Sequence, residues 1–281
     1  MKLAEEVAGI LASLSGTGAE TIPVPSGGEL VVAYLADDGE IQVKRALLEE
    51  YLQNLTDAAG QPLPVQTERL LEEDWGQSWK THFKPARLTS RLAITPSWET
   101  YVPQGEEAVI ELDPGMAFGT GLHASTRLAL ELIDETLASP RNGPIRALDV
   151  GTGTGILAMA CALLGASRVV AIDNDPDAVH AAAENVRRNH LESSIEVSGR
   201  DLREVAGPFE LVVANIIHDT LVELAPVLRG LVAPGGALIL AGILQGEQEA
   251  SIIATYRVLG LESHRILHRE EWTALRFTAP F

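Results

Sequence analysis

The chain has 281 residues, 46% of them hydrophobic and 21% charged, which supports one large domain, or a large and a small one, and excludes wholesale disorder. Its formal net charge of −18 argues against DNA or RNA as the main partner, because nucleic-acid binding needs basic surface to displace counterions. The single cysteine, Cys161, excludes a disulfide framework and a cysteine-built zinc cage; it lies in an apolar helical run, and no metal site is expected.

Residues 3–14 (LAEEVAGILASL) have helical spacing, interrupted by Glu5 and Glu6, so the stretch suits neither a membrane span nor a signal peptide. The expected compartment is the cytoplasm. Glu29–Leu35 (ELVVAYL) reads as a strand and Gln42–Leu55 as a helix, giving a small α+β unit that closes near Gln66. Residues 1–75 hold four basic groups against fourteen acidic ones, a net of −10 in about a quarter of the chain. That asymmetry points to a separate unit with its own task. Arg69–Phe83 reads as a helix with Trp75, Trp79 and Phe83 on one stripe, ended by Pro85. The expected division is therefore 1–66 as a small domain, 67–83 as a linker helix and 84–281 as a larger domain.

From Arg146 the pattern becomes regular. Strand-like runs Arg146–Val150, Arg168–Asp173, Leu211–Asn215 and Ala237–Gly242 alternate with helical stretches Ile156–Leu164, Pro176–Asn189, Asp219–Leu228 and Glu247–Leu259. Apolar strands separated by helices indicate a doubly wound, Rossmann-like α/β domain with a parallel sheet covered on both faces. Trp272–Phe277 alternates like a late strand.

Ala147–Leu157 (ALDVGTGTGIL) places a glycine-rich turn between a strand and a helix. Glycine permits positive φ and close backbone approach, and a helix N-terminus offers free N–H groups to a ligand. A dinucleotide site wants a third glycine where Ile156 stands, and Asp149 is unexpected beside a pyrophosphate. The D-x-G-x-G-x-G pattern resembles the first motif of class I methyltransferases. That resemblance implies a seven-stranded Rossmann-like domain and S-adenosyl-L-methionine as cofactor, with Gly151 and Gly153 among its contacts. The cofactor's ammonium and sulfonium also suit nearby acids.

Asp173 ends the next strand, 22 residues after Gly151, where an acid reaches ribose hydroxyls; the competing role is a helix cap, which Asn174 or Asp175 could fill instead. In Leu211–His218 (LVVANIIH), a strand carries Asn215 to the C-terminal sheet edge. There its carbonyls could accept from a reacting amine, or it could simply cap the following helix.

Four further stretches, LDPGMAFGTGLHASTRL (Leu112–Leu128), DWGQSWKTHFKP (Asp74–Pro85), NIIH (Asn215–His218) and EEWTAL (Glu270–Leu275), resemble the bacterial methyltransferases that modify the eleventh protein of the large ribosomal subunit. The resemblance implies methyl transfer to lysine ε-amines and to the N-terminal α-amine of that basic ribosomal protein. It places cofactor contacts on Thr126, Gly151, Asp173 and Asn215, has Phe118 closing the loop, and gives substrate recognition to the N-terminal domain. The loop departs from the family pattern at Leu122, Ala124 and Ser125, and the chain starts at its first helix without the strand expected before it. His123 reads as a structural loop contact, and no residue is assigned as catalytic base. The expected enzyme is a monomer, with no nucleic acid and no membrane as partner. Rival readings are a methyltransferase of the same fold for another protein or a small molecule, a nicotinamide-dependent dehydrogenase, and a non-catalytic binding protein.

Overall fold

Side chains on a strand alternate between faces, so a strand buried on both sides must be apolar at consecutive positions. Arg146–Val150 meets that condition: its last four residues are buried, with Ala147 in one hydrophobic cluster and Leu148 in the other. In this computed structural model the described residues are 84–113, 121–139 and 143–281, preceded by 3, 7–8, 10–11, 19–23, 29–35, 41–52, 55, 63 and 65–67. The chain divides into two compact units, Met1–Trp75 and Gly76–Phe281.

In the first unit, β1 (Glu20–Pro23) pairs antiparallel with β2 (Glu29–Val32), and α1 spans Ile41–Leu52. The strand read over Glu29–Leu35 is thus confined to its first four residues, and β1 is an addition. Residues 3, 7–8 and 10–11 are helical. The helix expected over Arg69–Phe83 lies outside the described residues.

The second unit opens with a three-stranded sheet ordered β3 (Ala86–Arg87), β4 (Leu92–Thr95), β5 (Ala108–Glu111). Arg91, just before β4, donates from Nε to Asp134 Oδ1 at 2.5 Å and from Nη2 to the Asp134 carbonyl at 2.7 Å. This bidentate grip ties the small sheet to α2 (Ala124–Ala138), on which Asp134 is buried.

The rest is a seven-stranded sheet built from β6 (Arg146–Val150), β7 (Arg168–Ile172), β8 (Ile195–Ser198), β9 (Phe209–Asn215), β10 (Val232–Leu244), β11 (Glu262–Arg269) and β12 (Trp272–Thr278), in the order β11-β12-β10-β9-β6-β7-β8. From β8 to β10 neighbouring strands are parallel; β12 is antiparallel to both β10 and β11. Leu211, Val213, Ile239 and Ala241 join the cluster covered by α2, α3 (Ile156–Leu163) and α4 (Pro176–Arg188). Val212, Ala214, Leu238 and Leu240 join the opposite one, covered by α5 (His218–Glu223), α6 (Ala225–Leu231) and α7 (Glu247–Val258). This is the doubly wound, Rossmann-like arrangement expected.

Two boundaries differ from the sequence reading. The single helix expected over Asp219–Leu228 is two, α5 and α6, meeting at Leu224, the cap residue of both. Pro226 lies in the first turn of α6, where its missing N–H and fixed φ start a new helix more readily than they continue an old one. β10 extends well beyond Ala237–Gly242 in both directions.

The chain runs β6→β7→β8 to one side and then returns to place β9 on the other side of β6. That reversal opens a crevice beyond the C-terminal ends of β6 and β9, where ligands of open α/β sheets bind.

Candidate active site

The turn leaving β6 carries Gly151, Gly153 and Gly155 at φ +71°, +54° and +84°, values that favour glycine. Gly151 and Thr152 donate their N–H groups to the Ile172 carbonyl at 2.9 and 3.0 Å, tying the turn to β7. A Cβ on Gly155 would lie 3.3 Å from Ala182 Cβ on α4, so this glycine provides the close packing that a dinucleotide fingerprint assigns one position later. That later position is Ile156, buried at the head of α3.

Asp149 is fully buried behind the turn rather than on its ligand side. Its Oδ2 accepts from Thr152 Oγ1 at 2.7 Å and from the Ala158 N–H at 3.1 Å, while Oδ1 has no partner. Burial pushes its carboxyl up to about 7, against the two hydrogen bonds and with a small addition from the charge of Asp173. The expectation that Asp149 attracts a positively charged cofactor is thereby corrected: it is buried, braces the turn, and holds its proton to higher pH than an ordinary carboxyl.

Asp173 follows β7. Its Oδ2 accepts from the Gly153 N–H at 2.9 Å and its Oδ1 from the Asp175 N–H at 3.1 Å. Asp175 caps α4, accepting from the Asp177 N–H at 2.9 Å, so the cap role is filled two residues after Asp173.

Asn215 ends β9 and donates from Nδ2 to Thr126 Oγ1 at 3.2 Å. Thr126 is buried in the first turn of α2, and its hydroxyl sets the Asn215 amide with Oδ1 left to accept. His123 caps α2, its Nδ1 accepting from the Ser125 N–H at 3.3 Å. Its ring meets Trp272 edge-on, with centroids 4.9 Å apart.

A cavity of about 560 Å³ brings Gly151, Asp173 and Asn215 into one wall system. Gly153 and Thr126 act from behind it through the bonds just described. Phe118 and the rest of 114–120 lie outside the described residues. The cavity is also lined by Asp201, Leu202 and Trp272, which sequence reasoning did not assign to the site. Asp201 and Leu202 follow β8, whose four residues are too few to show a strand period in the sequence; the strand places them at the same sheet edge as Asp173. Trp272 is read in the sequence as the start of a late strand and as part of the EEWTAL stretch, neither of which assigns it to the cavity wall.

These residues fit S-adenosyl-L-methionine. The volume suits a small-molecule site. The Gly151 turn leaves no room for a side chain, since a Cβ there would meet Ile216 Cγ2 at 2.4 Å. Asp173 and Asp201 supply carboxylates, and Ile172, Leu202 and Leu224 supply apolar wall.

A family profile described as ribosomal protein L11 methyltransferase (PrmA) matches residues 17–280. A ribosomal protein L11 methyltransferase of Geobacter metallireducens is 43% identical over 251 residues, covering 89% of this chain and 81% of the relative. One from Pelobacter propionicus is 39% identical over 288 residues, covering 97% and 93%. The crystal structure of a ribosomal protein L11 methylase from Lactobacillus delbrueckii subsp. bulgaricus superposes with a TM-score of 0.63 at 32% identity, covering 70% of this chain and all of that one (100%). A glycine turn that rejects side chains, an acid bonded to it and an asparagine at the switch point are thus set in a chain that belongs to the ribosomal protein L11 methyltransferase family.

Proposed function

We propose that this protein transfers methyl groups from S-adenosyl-L-methionine to lysine ε-amines and the N-terminal α-amine of ribosomal protein L11. The observation that carries the chemistry is the placement of Asn215, held by Thr126, in the same cavity as Gly151 and Asp173. When bound, the cofactor supplies an electrophilic methyl on a sulfonium. The chain's residues have then to hold a neutral amine in line with it and keep water away.

A lysine amine starts near pKa 10.4 and is charged in water. Ile216 and Trp272 line the cavity and disfavour the ammonium form, so burial helps shed the proton. Asn215 Oδ1 accepts from an amine N–H and leaves the nitrogen lone pair aimed into the cavity. Asp173, with one backbone donor already on each oxygen, retains a lone pair on each for the ribose hydroxyls. The Gly151 and Gly153 turn takes the amino-acid end of the cofactor. No side chain is assigned as general base.

On this reading residues 1–66 recognise the substrate, 67–83 link and 84–281 catalyse, in a cytoplasmic monomer. The acidic balance of residues 1–75 suits a basic ribosomal protein, and rising salt should weaken substrate binding by the full-length enzyme. Among the described residues no helix is long and apolar enough to cross a membrane.

Incubation with purified ribosomal protein L11 and methyl-labelled cofactor, followed by mass mapping of the product, tests the reading. Label on lysine and N-terminal amines supports it. Absence of label on L11, with label on another protein when a whole ribosomal-protein mixture is supplied in its place, overturns it.

A further inference from the structure

Ile216 stands just beyond the end of β9, between the two strands that flank β9 in the sheet. On the β6 side its side chain lies where a Cβ of Gly151 would be, 2.4 Å from Cγ2. On the β10 side its carbonyl oxygen lies 2.6 Å from where a Cβ of Gly242 would be, and Asn215 Oδ1 lies 3.1 Å from the same point. Gly242 has φ +80° and sits at a register shift of β10 against β12, where one extra residue separates the Leu240↔Leu275 and Ile243↔Thr273 pairs. Such a bulge next to a site re-aims backbone groups. Gly151, Asn215, Ile216 and Gly242 all line the one cavity.

We infer that Gly242 is a positioning residue for the methyl acceptor: by presenting bare backbone at the bulge, it fixes the Asn215–Ile216 step whose oxygens face the incoming amine. The inference rests on the amine-methylating reading of the same site. Both faces of the step are held, but by different atoms. Gly151 meets the Ile216 side chain, on the cofactor side. Gly242 meets the Ile216 carbonyl and the Asn215 side-chain oxygen, on the acceptor side. A methyl at Gly242 therefore pushes the acceptor oxygens by several tenths of an ångström and reaches the cofactor turn only indirectly.

The test is Gly242→Ala, with turnover measured on ribosomal protein L11 and affinity measured with S-adenosylhomocysteine. Gly260→Ala is the control, because Gly260 has φ +78° but nothing within 4 Å of its Cβ position, so it carries the backbone strain without the clash. Gly242→Ala should lose roughly 10- to 100-fold in kcat, as misplacement near the reacting atoms does. Its affinity for S-adenosylhomocysteine should stay within about fivefold and the KM for L11 within about threefold, while Gly260→Ala keeps kcat within about twofold. Ile216→Gly adds no volume but loosens the Gly151 turn as well as the step. Even if Gly242→Ala does not fold, the turnover of Ile216→Gly on L11 should therefore fall at least about 10-fold further than its affinity for S-adenosylhomocysteine, and equal losses in the two overturn the inference. A Gly242→Ala enzyme with wild-type turnover overturns the inference, as does equal loss in Gly260→Ala or a parallel loss of cofactor affinity. A wild-type enzyme that labels no L11 amine refutes the proposed reaction instead.

Discussion

Replacing Asp173 with alanine removes two acceptors at once. Each carboxylate oxygen takes one backbone N–H, from Gly153 at 2.9 Å and Asp175 at 3.1 Å, and on the proposed reading the lone pair left on each accepts from one ribose hydroxyl. Two charge-assisted hydrogen bonds at about 1.5–3 kcal/mol each give about 3–6 kcal/mol before the hydroxyls' lost water is counted. The lower end applies, because the hydroxyls are well solvated when free. About 2.7 kcal/mol is roughly 100-fold in affinity. Asp173→Asn keeps one oxygen and should lose about 10-fold, half of that free energy. Calorimetry with S-adenosylhomocysteine reads both variants, and thermal melts without ligand separate binding from folding. A loss below about threefold in Asp173→Ala would show that the carboxylate serves only the Gly153 turn, and the ribose assignment would be wrong.

Three other variants probe separate parts of the molecule. Asn215→Ala should cut turnover on L11 by roughly 100-fold while S-adenosylhomocysteine affinity stays within about fivefold, and steady-state kinetics beside calorimetry checks the split. Asp149 keeps its proton in the native state up to about 7, but an unfolded aspartate loses it near 4, so stability should fall as pH rises between those values. The fall amounts to at most about 4 kcal/mol, and Asp149→Asn should lose less melting temperature than wild type between pH 5 and 8; parallel curves would refute this. Arg91→Ala leaves the buried Asp134 carboxylate without its cation and should cost about 3 kcal/mol, roughly 10 °C in a melt of the second unit. A shift under about 2 °C would mean that water replaces the guanidinium.

The parts legible in the sequence were those where one local pattern decides the outcome. β6 runs over the residues its apolar pattern marks, and β7 and β9 lie within a residue or two of theirs, because strands buried on both faces leave no polar interruption. β11 (ESHRILHR) escaped notice because an edge strand half open to water carries no such pattern. The two residues of β3 are too few to show any period. Within the site, Gly151, Asp173 and Asn215 were readable because each closes a strand at the sheet's C-terminal edge. Asp201 and Leu202 were lost along with the short strand before them. Asp149 was misjudged since its sequence neighbourhood gives no sign that its side chain turns away from the ligand. Gly242 could not be read at all: what makes it matter is a carbonyl 26 positions earlier, brought beside it only by the pairing of β9 with β10.

The insertion of β12 between β10 and β11 has a consequence for biosynthesis. β12 leaves the ribosome after both of the strands it joins, so until it emerges β10 presents an open edge with Leu238 and Leu240, residues that are fully buried once the sheet closes. An unpaired apolar edge recruits other chains. Trp272, the first residue of β12, also forms part of the cavity wall and meets His123. A nascent chain stalled before Trp272 is therefore expected to be both sticky and unfinished at the candidate site. Proofs of this order are accessible on arrested chains: those halted before residue 272 should bind a hydrophobic dye and fail to retain S-adenosylhomocysteine, and those released with β12 paired should do the reverse.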